Sequence, residues 1–202
     1  KENIPLILSS GMSDLAEIYN SINVAGGFDG HPVALLLCTS QYPTPPTEVN
    51  LAKISTLKAA LPGITIGFSD HTKGSLASSL AVVLGSTIIE KHFTLDHDLP
   101  GPDHWFSEDP IGLKEWVDSI RIAHTMKGSS VVRPTQIEVK NKNEYQRHLV
   151  ASCDINMGDI FTEENIILKR VKDGKGFPPS YLDYLVKRPA PKNYKQGEPI
   201  EL

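Results

Sequence analysis

Cysteine is nearly absent from this 202-residue chain: Cys38 and Cys153 stand far apart and match no metal-binding or redox spacing. Long apolar runs are missing too, and none approaches the roughly 18 residues a membrane span requires. Lys and Arg are scattered, not clustered, and the formal net charge is −4, so there is no basic footprint for nucleic acid. The opening Lys1-Glu2-Asn3-Ile4-Pro5 carries no signal-peptide pattern. These absences predict a soluble cytoplasmic protein with neither nucleic acid nor membrane as partner. Hydrophobic residues at 40% and charged residues at 22% are ordinary for a globular protein, and the length suits one large domain or two unequal ones.

Short continuous apolar runs alternate with amphipathic segments through residue 126. Pro5-Leu6-Ile7-Leu8 is the first run; Ser13 is a candidate cap for a helix to about Ile22, with Leu15, Ile18 and Tyr19 on one face. Val33 to Cys38 is the second run, followed by a Pro-rich stretch from Gln41 to Pro46 and a helix predicted from Val49 to Ala60. Ile64 to Phe68 precedes a helix over Ser75–Leu84, ended by Gly85. Thr87 to Glu90 precedes a helix from Pro110 to Met126. Strands without in/out alternation, each followed by a helix, predict a parallel sheet covered by helices. The repeat of about 30 residues fits an eight-unit barrel of roughly 250 residues, of which four units are present. A half-barrel leaves parallel edges open, so the expectation is that an N-terminal half is missing from this chain. A small open doubly wound sheet is the competing architecture.

From Lys127 to Arg147 the chain turns polar and reads as a linker, giving domains at 1–126 and 148–202. Strand-like pieces follow at His148–Ala151, Ile166–Arg170 and Pro199–Leu202, separated by Gly and Pro turns. They predict a small β-rich domain of about 55 residues, near the lower limit for independent folding.

In α/β barrels the reactive groups sit where strands end. The third strand ends in Ser69-Asp70-His71 and the fourth in Glu90-Lys91-His92. A right-handed crossover makes these strands neighbours, so two imidazoles emerge side by side. Such a pair can ligate one divalent ion that polarises a carbonyl oxygen. Spacing alone leaves open whether they are ligands or hydrogen-bonded structural histidines. Glu90 and Lys91 read as a barrel-layer or surface pair, Asp70 as support for the His71 loop, and Cys38 as a small core residue.

The motifs narrow the choice. Cys38-Thr39-Ser40-Gln41-Tyr42-Pro43-Thr44-Pro45, Gly67-Phe68-Ser69-Asp70-His71-Thr72, Glu90-Lys91-His92-Phe93-Thr94-Leu95-Asp96 and Pro100-Gly101-Pro102-Asp103-His104 occur in that order. Together they resemble the bacterial sialic acid synthase family, which includes legionaminic and pseudaminic acid synthases and spore-coat polysaccharide homologues. The tail, with Asp154-Ile155, Gly158-Asp159, Thr162 and Asn165-Ile166, resembles that family's antifreeze-like (SAF) domain.

The resemblance implies an α/β fold: the C-terminal half of a TIM-type (β/α)8 barrel followed by a small SAF domain. It implies a transferase that condenses phosphoenolpyruvate with an N-acylated hexosamine, N-acetylmannosamine or a diacetamido-trideoxyhexose, giving a sialic-type acid and phosphate. His71 and His92 match the ligands of a divalent ion, Mn2+ or Mg2+. Ser40 and Ser69 match phosphoenolpyruvate-binding positions, although the family often carries Asn at the place of Ser40. Tyr42 and Asp103 match sugar-binding positions. Arg170 matches an arginine delivered to the partner subunit's site in a domain-swapped homodimer. The bulky Trp105-Phe106 departs from the family pattern and leaves open a related metal-dependent enzyme with another acceptor. A non-catalytic carbohydrate-binding or scaffold module is the other alternative. The main acid and base groups are expected in the absent half, so this chain alone is expected to be inactive.

Overall fold

Four of the apolar runs form one parallel sheet with neighbours in chain order, in a computed structural model that describes residues 4–172 and 174–201. Contacts divide the chain into two units, Lys1–Ser129 and Ser130–Leu202.

In the first unit β1 (Leu6–Ser9) leads to α1 (Leu15–Val24), β2 (Val33–Cys38) to α2 (Lys53–Ala60), β3 (Thr65–Asp70) to α3 (Leu76–Leu84), and β4 (Ile89–Lys91) to α4 (Pro110–Lys127). Alternate strand residues Leu35, Leu37, Ile66 and Phe68 pack against Ile18 and Ile22 of α1, Ile54 and Leu57 of α2, and Ala81 of α3. The helices therefore cover one face of the sheet. The other face carries Ser9, Cys38, Ser69 and Glu90, which the register lays side by side: Cys38 opposite Ser69, and Ser69 opposite Glu90. Leu36 lies on that face opposite Gly67. A side chain at Gly67 would put its Cβ 2.3 Å from Leu36 Cδ2 and 2.5 Å from the Ile88 carbonyl oxygen, so only glycine fits.

Several boundaries differ from the sequence expectation, each for a local reason. Asp14, not Ser13, caps α1. It accepts from Glu17 N at 2.9 Å while the Glu17 carboxylate accepts from Asp14 N at 2.9 Å, a reciprocal capping box. The buried stripe of α1 is Ile18 and Ile22, one turn apart. Leu15 and Tyr19 are exposed, and Tyr19 packs on Phe28 with ring centroids 4.6 Å apart. The helix expected from Val49 begins at Lys53, because Asn50 takes a left-handed φ of 48° after a short 3-10 turn at Pro46–Glu48. Gly85, at φ 105°, ends α3 as expected.

In the second unit β5 (Arg147–Ala151) pairs antiparallel with β6 (Ile166–Arg170). Leu149, Ala151, Ile155, Phe161, Ile166, Leu185, Ala190, Tyr194 and Ile200 form its core. The third expected strand reduces to a bridge between Val150 and Pro199, with Ile200 N donating to Leu149 O at 2.9 Å. Its last residue, Leu202, lies outside the described residues, as do Lys1, Glu2, Asn3 and Asp173. Within residues 127–147, expected as a linker, Gln136–Tyr145 is helical (α5), opened by a second capping box between Thr135 and Glu138. The unit boundary correspondingly falls at residue 129. A single helical turn, α6 (Leu182–Leu185), contributes Leu185 to the core.

The tail motif residues build turns. Asp154 accepts from Gln196 N at 2.9 Å and Lys195 Nζ at 2.7 Å, Asp159 from Asn156 N at 2.7 Å, and Asn165 Oδ1 from Thr162 N at 2.8 Å. Among the described residues no helix is long and apolar enough to cross a membrane.

Candidate active site

Strands β3 and β4 end side by side, and the residue after each is a histidine. The His71 and His92 rings stand 5.1 Å apart, edge to face at 72°. One residue pair below them, Ser69 Oγ donates to Glu90 Oε1 at 2.6 Å. Strand alternation explains the grouping: Ser69 and His71 share a side, as do Glu90 and His92.

His71 is buried and pinned by the chain that follows β2. Its Nδ1 lies 2.8 Å from the Thr39 carbonyl, and its own carbonyl accepts from Thr44 N at 2.8 Å. A carbonyl can only accept, so Nδ1 carries the proton and Nε2 keeps a lone pair when the ring is neutral. The polar neighbour of Nε2 is Ser69 Oγ at 3.4 Å. That hydroxyl spends its one proton on Glu90, so among the described residues the lone pair of Nε2 is left without a donor.

His92 is half-buried, with Nδ1 3.6 Å from Asp103 Oδ2. Its ring meets Phe106 at 5.0 Å and Tyr42 at 5.7 Å, and Tyr42 meets His71 at 4.3 Å. Tyr42 and Phe106 thus wall the imidazole pair on one side.

The two histidines differ electrostatically. Burial disfavours a charged His71, but the Cys38 thiol, the Thr39 carbonyl and the Asp70 carboxylate outweigh it and raise its pKa above 6.5. Burial and then the charge on His71 push His92 below 6.5. Burial would raise the Cys38 thiol, yet hydrogen bonding to His71, Ser9 and Ser69 holds it below its ordinary value. Cys38 therefore belongs to the site face, with Sγ 3.9 Å from His71 Nδ1, and is not a core residue.

Of the expected site residues, the first unit brings together His71, His92, Ser69, Tyr42 and Asp103. Ser40 lies beside the end of β1: its Oγ would be 2.6 Å from a Cβ on Gly11. Arg170 belongs to the other unit, exposed at the end of β6 opposite Arg147. Glu90 and Lys91 are not a pair with each other; they lie on opposite faces of β4. Glu90 joins the histidines, and its place two residues before His92, matching Ser69 before His71, is the signal that locates it. Asp70 supports the His71 loop as expected, accepting from Thr72 N at 2.8 Å and Thr72 Oγ1 at 2.7 Å. His104 Nδ1 lies 2.8 Å from Thr94 Oγ1, and of the bulky pair Trp105 is exposed while Phe106 is buried.

Two imidazoles are the donors this site would offer a divalent cation. Among the described residues no group of three or more His, Cys, Asp or Glu could hold a metal. An ion here would have His71 and His92 and would complete its shell with water and substrate; two imidazoles suit a transition-series ion better than the oxygen-seeking Mg2+. The undonated Nε2 of His71, fixed by the carbonyl at Nδ1, is how a ligating imidazole is prepared.

The NeuB family model matches residues 1–132. The chain is 42% identical over 202 residues to an N,N'-diacetyllegionaminic acid synthase of Campylobacter jejuni, covering 99% of this chain and 60% of that protein. It is 39% identical over 189 residues to the protein of the same name from Legionella pneumophila, covering 92% and 52%. Among solved structures, an N-acetylneuraminic acid (sialic acid) synthetase from Leptospira borgpetersenii superposes with a TM-score of 0.63 at 34% identity, over 69% of this chain and 48% of that one. The chain thus spans at most about 60% of the length of these relatives. The first unit is a curled parallel half-barrel like the sheets of sialic acid synthase structures.

Proposed function

The chain belongs to the NeuB family, and on that premise we propose that it supplies one side of the active site of a phosphoenolpyruvate-dependent synthase. The acceptor is an N-acylated hexosamine, N-acetylmannosamine or a diacetamido-trideoxyhexose, and the products are a nonulosonic acid and phosphate. The observation that carries this reading is the His71–His92 pair at adjacent strand ends, above the Ser69–Glu90 hydrogen bond.

In the reaction, carbon 3 of phosphoenolpyruvate attacks the open-chain aldehyde, whose oxygen takes up a proton; water adds at carbon 2, and the carbon 2–oxygen bond to the phosphoryl group then breaks to release phosphate. A divalent ion, Mn2+ or Mg2+, held by His71 and His92 would polarise the aldehyde oxygen. Ser40 offers its hydroxyl to the carboxylate or phosphate oxygens of phosphoenolpyruvate, and Ser69 does so once its one proton turns from Glu90 to the ligand. Glu90 orients the Ser69 hydroxyl and is the carboxylate placed to hold a proton beside it. Tyr42 and Asp103 contact the sugar, Asp103 accepting from its hydroxyls. The second unit acts as an SAF domain, and Arg170 of the partner subunit fixes the acyl group, its planar guanidinium binding in one orientation. That assembly is a domain-swapped cytoplasmic homodimer, with further strand–helix units closing the barrel.

The test is phosphate release from phosphoenolpyruvate and each acceptor with Mn2+, using the protein at the length of its relatives. Release that depends on an acylamino hexose supports the reading; no release with any such sugar overturns it. Sugar binding that survives replacement of both histidines would instead mark a non-catalytic carbohydrate module.

A further inference from the structure

Behind the histidines, on the helix-covered face, lies a second polar group that the reaction does not use. Asp70 and Lys91 are register partners on β3 and β4, and each immediately precedes a histidine. Their side chains are 0% and 3% exposed. Lys91 Nζ donates to the Thr72 carbonyl and to the Gly74 carbonyl at 3.4 Å, and lies 3.5 Å from Asp70 Oδ2 and 3.7 Å from Glu108 Oε1. Asp70 accepts from Thr72 N and Oγ1 on one oxygen and from Ser78 Oγ on the other. Ser78 Oγ in turn accepts from Trp116 Nε1 of α4 at 3.0 Å.

We propose that Lys91 and Asp70 are positioning residues, a buried cross-strand clamp that sets the spacing of His71 and His92. The inference rests on the reading of those histidines as metal ligands. Lys91, just before His92, reaches back to the backbone just after His71, while Asp70, just before His71, is bound to that same backbone and to the helix layer. Neither histidine-bearing strand end can shift without breaking a bond to a buried charge. Burying an ion pair brings little net stability compared with packed apolar side chains, whereas breaking one strands a charge. Such a pair is costly as packing and effective as a register device.

The test compares wild type with Lys91→Met and with the double variant Asp70→Asn/Lys91→Met, in the whole protein. Thermal unfolding, Mn2+ affinity from Mn2+ resonance spectroscopy, and imidazole 15N–1H spectra of the metal-free protein are measured. Lys91→Met is expected to weaken Mn2+ binding about tenfold, the scale of a lost outer-shell partner. It should also turn the single sets of His71 and His92 ring resonances into broadened or multiple ones. The double variant, freed of the stranded carboxylate, should recover thermal stability yet keep weak Mn2+ binding and disordered rings, because Thr72 and Gly74 remain unheld. If Lys91→Met does not fold, the double variant carries the comparison. Folded variants with Mn2+ affinity within about twofold of wild type and unchanged ring spectra would overturn the proposal. A wild type that binds no Mn2+ would defeat the metal reading alone, and the metal-free spectra would still decide the clamp.

Discussion

Ser69 and Glu90 face each other across the β3–β4 register, and the Ser69 hydroxyl donates to the Glu90 carboxylate at 2.6 Å. This bond commits the one proton of Ser69, leaving its lone pairs and the nearby Nε2 of His71 open. When phosphoenolpyruvate binds, that proton turns from Glu90 to the anion; Ser69→Ala removes this donor and should raise KM for phosphoenolpyruvate about tenfold or more, the scale of a hydrogen bond to a charged group. Glu90→Gln can still accept from Ser69 but carries no charge. It should lower kcat by about 100-fold or more, as loss of a proton-holding carboxylate does, with a smaller change in KM. Steady-state phosphate release separates the two; equal effects on KM alone would place Glu90 outside the chemistry.

The two imidazoles should titrate in opposite directions from 6.5. His71, raised in the folded state, contributes stability that is fully present below about 6.5 and is lost as pH rises through its higher folded value. His92, depressed, contributes stability present above about 6.5 and lost as pH falls through its lower folded value. Proton NMR of the ring C2–H signals in metal-free protein should show His71 with the higher midpoint. Cys38→Ala should lower the His71 midpoint, since the thiol is the leading favourable partner. His71→Gln should raise that of His92 by removing a neighbouring charge. A reversed order of midpoints would contradict the geometry.

Much of this was legible in the residues. The continuous run Val33–Cys38 marks β2 to the residue, because a strand buried on both faces has no polar interruption. Strand neighbourhood alone brings His71 beside His92. What escaped was cross-strand pairing: Asp70 with Lys91 and Ser69 with Glu90 need the register, which sequence does not carry when apolar runs lack alternation. Helix α5 does not stand out in the sequence because its hydropathy is low, although Thr135 and Glu138 stand at capping-box spacing. The cap of α1 shifted from Ser13 to Asp14 for the same reason: Glu17 lies three residues after Asp14, not after Ser13.

Gly67 tests how tightly the inner face is packed. Gly67→Ala drives a Cβ into Leu36 Cδ2 and, more stubbornly, into the Ile88 backbone oxygen. Leu36 can rotate, but the carbonyl belongs to the chain entering β4 and can move only by displacing that strand. A loss of about 1–3 kcal/mol is expected, the usual cost of overpacking. A displaced β4 would also carry Glu90 and His92 with it. Denaturant unfolding measures the first effect and Mn2+ affinity the second; a fully stable Gly67→Ala protein would show that β4 yields without cost.

In the second unit the corresponding constraint is polar. Tyr194 is 1% exposed, packs against Phe161 with ring centroids 5.8 Å apart, and donates its hydroxyl to the Glu201 carbonyl at 2.5 Å. Its backbone also exchanges two hydrogen bonds with Ile155, at 2.8 and 2.9 Å. Tyr194→Phe keeps the ring packing and the backbone bonds but strands the Glu201 carbonyl. It should therefore cost about 0.5–1.5 kcal/mol, the net worth of a typical intramolecular hydrogen bond, because Glu201 is only partly buried. Tyr194→Ala removes the ring as well and should cost about 3–5 kcal/mol, as deletion of a large buried aromatic does. Chemical denaturation followed by the fluorescence of an engineered tryptophan within Ser130–Leu202 would read both. A Tyr194→Phe variant as stable as wild type would mean that the Glu201 carbonyl finds water, and that the remaining bonds of Gly197, Glu198, Ile200 and the Glu201 side chain hold this last segment.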